Sequence, residues 1–287
     1  MNGKLCFVIL TWNSASYIRS CLDAILALPN PDKVLLFITD NGSSDGTQEI
    51  LHTYETQYVD RVRVTFETEN QGTTKPRNKM MREVPPDTKW ICVLDSDTEV
   101  NPAAIERLIK ALEDHPKAML SSPRMWKRSG EEQMSCKRFP TAWGKLMKAA
   151  PVRSWQHRAA DRESYDFFPA KKTVGSPPVS ENDSVYPVDY AISACWMLRA
   201  DVRDSVGYLD EFYSYAPEDV DYCAAIWENG YDILFVSGAS IFHDTQRLSH
   251  KKRISATNWA HIRGLIHYFR KYAYLNHPRI RKNIGTE

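Results

Sequence analysis

The chain has 287 residues, of which 43% are hydrophobic and 25% charged, with a formal net charge of +1. These proportions are those of a globular protein and exclude a disordered chain or a nucleic-acid binder held by overall basicity. No apolar stretch approaches the roughly 18 residues of a membrane span.

Charge is unevenly spread: between Arg247 and Glu287 there are ten Lys or Arg against one acid. A basic end on an otherwise acidic chain points to an anionic partner such as phosphate, a lipid head group or an acidic glycan. The six cysteines lie far apart with no CxxC pair, as expected of buried thiols in a reducing compartment. Leu5–Leu10 lacks a basic flank and a cleavage site, so it reads as a first strand rather than a signal peptide. The expected location is the cytoplasm, with peripheral contact at the inner face of the cell membrane through the basic tail.

Up to residue 125, strand-like and helix-like segments alternate, which predicts an α/β fold with a mostly parallel sheet covered by helices. The expected strands are Leu5–Leu10, Val34–Ile38, Val62–Phe66, Trp90–Leu94 and Ala118–Ser122. Tyr17, Ile18, Cys21, Leu22, Ile25 and Leu26 recur at helical spacing. Pro102 opens a second such helix, with Ile105, Leu108, Ile109 and Leu112 on its apolar face. Residues 126–184 are rich in Lys, Arg, Ser and Pro and read as loops with short elements, a lid or an acceptor-binding insertion. An apolar stretch resumes at Val188, Glu218–Asn229 reads as a helix and Ile233–Val236 as a strand. In the tail, Trp259, Ile262, Ile266 and Phe269 repeat at helical spacing, with Arg263, His267, Arg270 and Lys271 on other faces. Such a helix either docks on the protein's own core or lies on an anionic membrane.

The apolar run from Trp90 to Leu94 ends in Asp95-Ser96-Asp97. Ligands of open α/β sheets gather beyond the carboxyl ends of the strands, and paired carboxylates there suit a divalent cation that also binds phosphate. Two more polar tips share this edge: Thr11-Trp12-Asn13-Ser14 and Thr39-Asp40-Asn41-Gly42-Ser43-Ser44-Asp45-Gly46-Thr47. The second can hold a base or ribose, although Asn-Gly and Asp-Gly also simply make turns. After the third strand, Gly72 can expose backbone N–H groups, and Lys75 or Arg77 can face phosphate. Glu218-Asp219-Val220-Asp221 follows the aromatic run Phe212-Tyr213-Ser214-Tyr215. Its acids either complement a helix dipole or supply a general base. His243 closes the apolar Ile241-Phe242 and, beside two carboxylates, completes an Mn²⁺ or Mg²⁺ site.

In this order, the pieces resemble the family 2 glycosyltransferases, especially the rhamnosyltransferase-like branch. They are Val8-Ile9-Leu10-Thr11-Trp12-Asn13, Asp40 to Thr47, Leu94-Asp95-Ser96-Asp97-Thr98-Glu99-Val100 and Glu218-Asp219-Val220-Asp221-Tyr222-Cys223. Gln133-Met134-Ser135-Cys136-Lys137-Arg138-Phe139-Pro140-Thr141 also looks like a segment of that branch, and the likeness runs from about Leu5 to Tyr272. It implies a Rossmann-like GT-A domain spanning 1–287. Residues 1–125 would bind the nucleotide sugar, 126–245 the acceptor, and 246–287 would form the basic C-terminal helical tail.

The resemblance further implies nucleotide contacts from Thr11, Asn13 and Asp40, with Gly72, Arg77, Asp95 and Ser96 also on the donor. Metal would be held by Asp95, Asp97 and His243, and Asp219 would be the catalytic base. Two positions depart from the branch: Asp95-Ser96-Asp97 stands where Asn-Pro-Asp or Asn-Asn-Asp is frequent. Thr73-Thr74-Lys75-Pro76 replaces small apolar residues after the glycine.

The expected activity is therefore inverting, metal-dependent transfer of a sugar from a UDP- or dTDP-sugar, dTDP-rhamnose among them. The acceptor would be a hydroxyl of a glycan or lipid-linked glycan in cell-surface polysaccharide synthesis. A sugar-phosphate nucleotidylyltransferase would share the metal and the sheet, but it carries a Gly-rich basic loop where this chain has Thr11-Trp12-Asn13. A non-catalytic sugar-nucleotide or glycan-binding module would not need all of these acids together with His243.

Overall fold

The computed structural model describes residues 3–165, 184–244 and 256–272. In chain order the first half runs β1 (Lys4–Thr11), α1 (Ile18–Leu26), β2 (Val34–Asp40), α2 (Thr47–Gln57), β3 (Val62–Phe66) and α3 (Thr74–Glu83). It continues through β4 (Thr88–Asp95), β5 (Thr98–Glu99), α4 (Pro102–Asp114) and β6 (Ala118–Trp126). The second half adds β7 (Glu132–Gln133), β8 (Cys136–Lys137), α5 (Ala142–Ala149), α6 (Arg153–Glu163), β9 (Val185–Pro187) and β10 (Tyr190–Ala191). Then come β11 (Cys195–Arg199), α7 (Val202–Ser205), α8 (Glu218–Glu228), β12 (Asp232–His243) and α9 (Ala256–Tyr272).

One sheet carries the order β3-β2-β1-β4-β11-β6-β12-β5, with β7 on β6 and β9 on β12. The first four strands are mutually parallel, as the alternation of segments predicts. Beyond them the sheet is mixed, because β11 lies antiparallel between β4 and β6. Each central strand feeds two cores. From β1, Leu5, Phe7 and Ile9 face α1, α2 and α4, while Cys6 and Val8 face α3, α8 and α9. Burial on both sides is why these strands read as unbroken apolar runs. All six cysteines are buried and unpaired, as expected.

Helix starts follow local chemistry. Asn101 Oδ1 accepts from the Ala104 N–H at 3.0 Å and Pro102 occupies the first turn of α4. Thr141 caps α5 in the same way through Gly144 N at 3.0 Å.

The 126–184 segment carries short elements, β7, β8, α5 and α6; Ser176-Pro177-Pro178 lie outside the described residues. Two expectations need correction. Ile233–Val236 and Ile241–His243 belong to one strand, β12, whose register along β6 shifts between Val236 and Ser240. On α9, the face against the core is Gly264, Tyr268 and Tyr272, while Trp259, Ile262 and Ile266 of the expected stripe are exposed. Gly264 permits that contact, because a Cβ there would lie 2.8 Å from Pro217 Cδ. Among the described residues, no helix is long and apolar enough to cross a membrane.

Candidate active site

The carboxyl ends of β1, β2 and β4 and the far end of β12 converge on one edge of the sheet. Asp95 is the last residue of β4, and the turn Ser96-Asp97 leads into β5, which pairs with the end of β12 so that Thr98 faces His243. This short antiparallel pairing brings an acid and an imidazole together from positions 146 residues apart in sequence. One ligand atom each from Asp95, Asp97 and His243 lie within 4.8 Å of one another. His243 Nε2 is 3.3 Å from Asp97 Oδ1, and its Nδ1 is 2.7 Å from Gln133 Oε1. With Nδ1–H donating to the amide oxygen, Nε2 keeps its lone pair toward the acids, the tautomer a metal ligand needs. Two carboxylates and an imidazole, gathered at this spacing and partly shielded from water, fit a divalent cation. Burial alone would lower the His243 pKa, but the Asp97 and Asp95 charges raise it.

A cavity of about 340 Å³ opens beside this cluster, lined by Arg77, Asp95, Ser193, Tyr215, Asp219 and His243 among others. Asp219 sits in the first turn of α8, partly exposed, with Oδ1 accepting from the Val220 N–H at 2.8 Å. Its neighbour Glu218 is buried and accepts from Ser193 Oγ at 3.2 Å. Burial and the Asp219 charge push Glu218 up to about 7, against the pull of Arg77. Burial also raises Asp219, opposed by the Val220 N–H and the charges of Lys137, Arg77 and Lys145. Asp221 points the other way, to the Tyr213 hydroxyl at 3.0 Å and Lys271 Nζ at 2.9 Å.

Arg77 lines the cavity and is tied to its acids. It is 2% exposed, and its guanidinium donates to Asp95 Oδ1 at 2.6 Å and Ser193 Oγ at 2.9 Å, with Glu218 Oε1 at 3.5 Å. It thus clamps the metal-side acid to the acidic pair. Burial raises the Asp95 pKa and Arg77 opposes that rise. Gly72 is also spent inside the protein. Its φ is +83°, its N–H donates to Asn70 Oδ1 at 2.9 Å, and a Cβ would lie 2.3 Å from the Ser214 carbonyl. Ser96 Oγ meets Ser14 Oγ at 2.9 Å, tying the acid-bearing turn to the loop after β1.

Thr11 and Asp40 pair across β1 and β2, and both are buried. Asp40 Oδ2 accepts from the Ser43 N–H at 3.0 Å and Gln48 Nε2 at 2.8 Å, whereas Asp40 Oδ1 and Thr11 Oγ1 have no partner among the described residues. Asn13 joins the two loops: its N–H donates to Ser43 Oγ and its Oδ1 accepts from the Ser44 N–H, each at 2.8 Å. Gln133 and Ser193 are the residues the sequence reading assigns no role. Gln133 reaches His243 only because β7 folds back on β6, and nothing in the local sequence signals that pairing.

The profile of "Glycosyl transferase family 2" matches residues 6–168. The chain is 23% identical over 253 residues to an N-acetylglucosaminyl-diphospho-decaprenol L-rhamnosyltransferase of Mycobacterium tuberculosis, covering 85% of this chain and 76% of that one. It is also similar to the structure of GalNAc-T7 with UDP, GalNAc and Mn²⁺, with a TM-score of 0.69 at 12% identity, covering 94% of this chain and 49% of that one. Staphylococcus aureus TarS 1–349 in complex with UDP-GlcNAc gives a TM-score of 0.63 at 15% identity, covering 98% and 69%. The chain therefore spans about half of the GalNAc-T7 chain. These likenesses show the GT-A fold.

Proposed function

The chain belongs to glycosyl transferase family 2, and on that premise we propose that it is an inverting, metal-dependent glycosyltransferase using a UDP- or dTDP-sugar. The acceptor in this reading is a hydroxyl of a glycan or lipid-linked glycan in cell-surface polysaccharide synthesis. The observation that carries it is the placing of Asp219, with a raised pKa, in the same cavity wall as Asp95 and His243. The mycobacterial relative's name, a rhamnosyltransferase acting on a lipid diphosphate, supports the acceptor class and admits dTDP-rhamnose as donor.

A divalent ion held by Asp95, Asp97 and His243 would neutralise the charge of the departing nucleoside diphosphate. Asp219 accepts the proton of the acceptor hydroxyl, whose oxygen forms the new bond to the anomeric carbon as the bond to diphosphate breaks. A single displacement inverts that carbon and requires no nucleophile from the protein. Arg77 holds Asp95 and Glu218 in place rather than binding phosphate. Thr11 Oγ1 and Asp40 Oδ1 are costly to bury without partners, and a nucleotide base would supply them.

The test is a panel of UDP-, dTDP- and GDP-sugars with Mn²⁺, followed by thermal shift and nucleotide release. A donor that raises the melting temperature and releases its nucleotide only with Mn²⁺ present is the expected result; no response to any donor overturns the reading.

A further inference from the structure

We propose that the outer face of α9, carrying Trp259, Ile262 and Ile266 flanked by Arg263 and Arg270, docks on an anionic lipid bilayer. The helix is already anchored by its other face. Tyr268 and Tyr272 are buried, the Tyr272 hydroxyl donates to the Asp221 carbonyl at 3.1 Å, and Lys271 Nζ reaches Asp210 at 3.2 Å and Asp221 at 2.9 Å. The core therefore does not need the outer apolar residues. Trp259 is 66% exposed and Ile262 and Ile266 are each 48% exposed. With Phe212 they line a shallow groove of about 420 Å³. A contiguous exposed apolar stripe is unfavourable in water and marks a contact surface.

Charge selects the occupant. Arg263 stacks over Phe212 at 4.7 Å, Arg270 is exposed, and among the described residues neither is paired with a carboxylate. The nearby acid Asp210 is taken by His267 and Lys271. Trp and Ile enter the head-group boundary while Arg stays with lipid phosphate, the division an interfacial helix makes. A two-fold contact with a second copy would set this cationic patch against itself, which charge opposes. The face also adjoins the cavity: His261 Nδ1 lies 3.2 Å from the Ala216 carbonyl, and Gly264 packs on Ala216 and Pro217, next to Glu218 and Asp219. A bilayer under α9 would thus lie about one helix diameter, on the order of 10 Å, from that wall.

Docking does not rest on the glycosyltransferase reading, so the two can fail separately. The full chain is sedimented with vesicles of phosphatidylcholine alone and of equal parts phosphatidylcholine and phosphatidylglycerol. Binding to the mixed vesicles is expected to be about tenfold stronger. Trp259→Ala with Ile262→Ser and Ile266→Ser should lower it about tenfold at an unchanged melting temperature. Arg263→Glu with Arg270→Glu should remove the preference for the anionic vesicles. Nucleotide release in solution should be unchanged in both variants. No sedimentation of the wild-type chain with mixed vesicles, or equal sedimentation of the triple variant, overturns the proposal. So does a lipid-free dimer, seen by light scattering, that the triple variant dissolves.

Discussion

The Arg77 guanidinium lies 2.6 Å from Asp95 and 3.5 Å from Glu218, so one buried cation joins the acid at the end of β4 to the acid at the start of α8. Removing it leaves the buried Glu218 and the partly exposed Asp95 without the cation they share. Arg77→Met is expected to destabilise the fold by roughly 1–3 kcal/mol in denaturant titrations, since solvent screens Asp95 in part. Arg77→Lys should recover only part of this, since an ammonium cannot fork between Asp95 and Ser193.

Gln133 should control metal affinity through His243. Gln133→Leu takes away the acceptor at Nδ1 and is expected to weaken Mn²⁺ binding about tenfold or more, measured by loss of the free Mn²⁺ paramagnetic resonance signal without donor. Gln133→Glu keeps an acceptor at the same place and should retain most of the affinity. Equal weakening in both variants would show that the contact at 2.7 Å does not orient the imidazole.

Asp219→Asn retains shape and an acceptor oxygen for the Val220 N–H but cannot take up a proton. Transfer is expected to fall by about 10²–10⁴-fold, with donor affinity by calorimetry nearly unchanged. Near-wild-type turnover would exclude Asp219 as the base.

Glu218 holds its proton more tightly in the folded protein than in the unfolded chain, at about 7 against an ordinary 4.5. The stability this gives is fully present below about pH 4.5 and is lost as pH rises through 7. Glu218→Gln removes that loss. The melting temperature of the variant relative to wild type should therefore climb between pH 5 and pH 8, and a constant difference would refute the burial argument.

Much of this was legible in the residues themselves. The β1, β2, β3 and β4 runs stand out because turn residues bound each short stretch, and α1 and α4 because each buries one periodic strip. The motif acids stand out because each interrupts an apolar or aromatic run at a strand or helix end. Cys195–Arg199 was not legible as a strand: buried on both faces, its apolar run has no period to separate strand from helix. The Arg77 ion pairs were not legible for a related reason, since a cation after a glycine looks alike whether it faces phosphate or a carboxylate. Only the approach of α8, set by chain far downstream, decides between them.

Gly264 offers a prediction opposite to the usual rule. An alanine in a helix interior normally stabilises by about 1 kcal/mol over glycine. Here the added Cβ would meet Pro217 Cδ at 2.8 Å and the Ala216 carbonyl at 3.1 Å. Gly264→Ala should lower the melting temperature and increase hydrogen exchange along α9, and a rise would show that the contact is loose.

The antiparallel seat of β11 between β4 and β6 bears on how the molecule is made. During synthesis, the first 125 residues emerge about seventy residues before the strand that closes their edge, and until then β4 offers an unpaired row of backbone groups. Long-range pairing of this kind is slow, because the loop must close before the contact rewards it. A ribosome-bound or truncated chain ending before Cys195 would be prone to edge-to-edge association, and chaperone demand should peak in that interval.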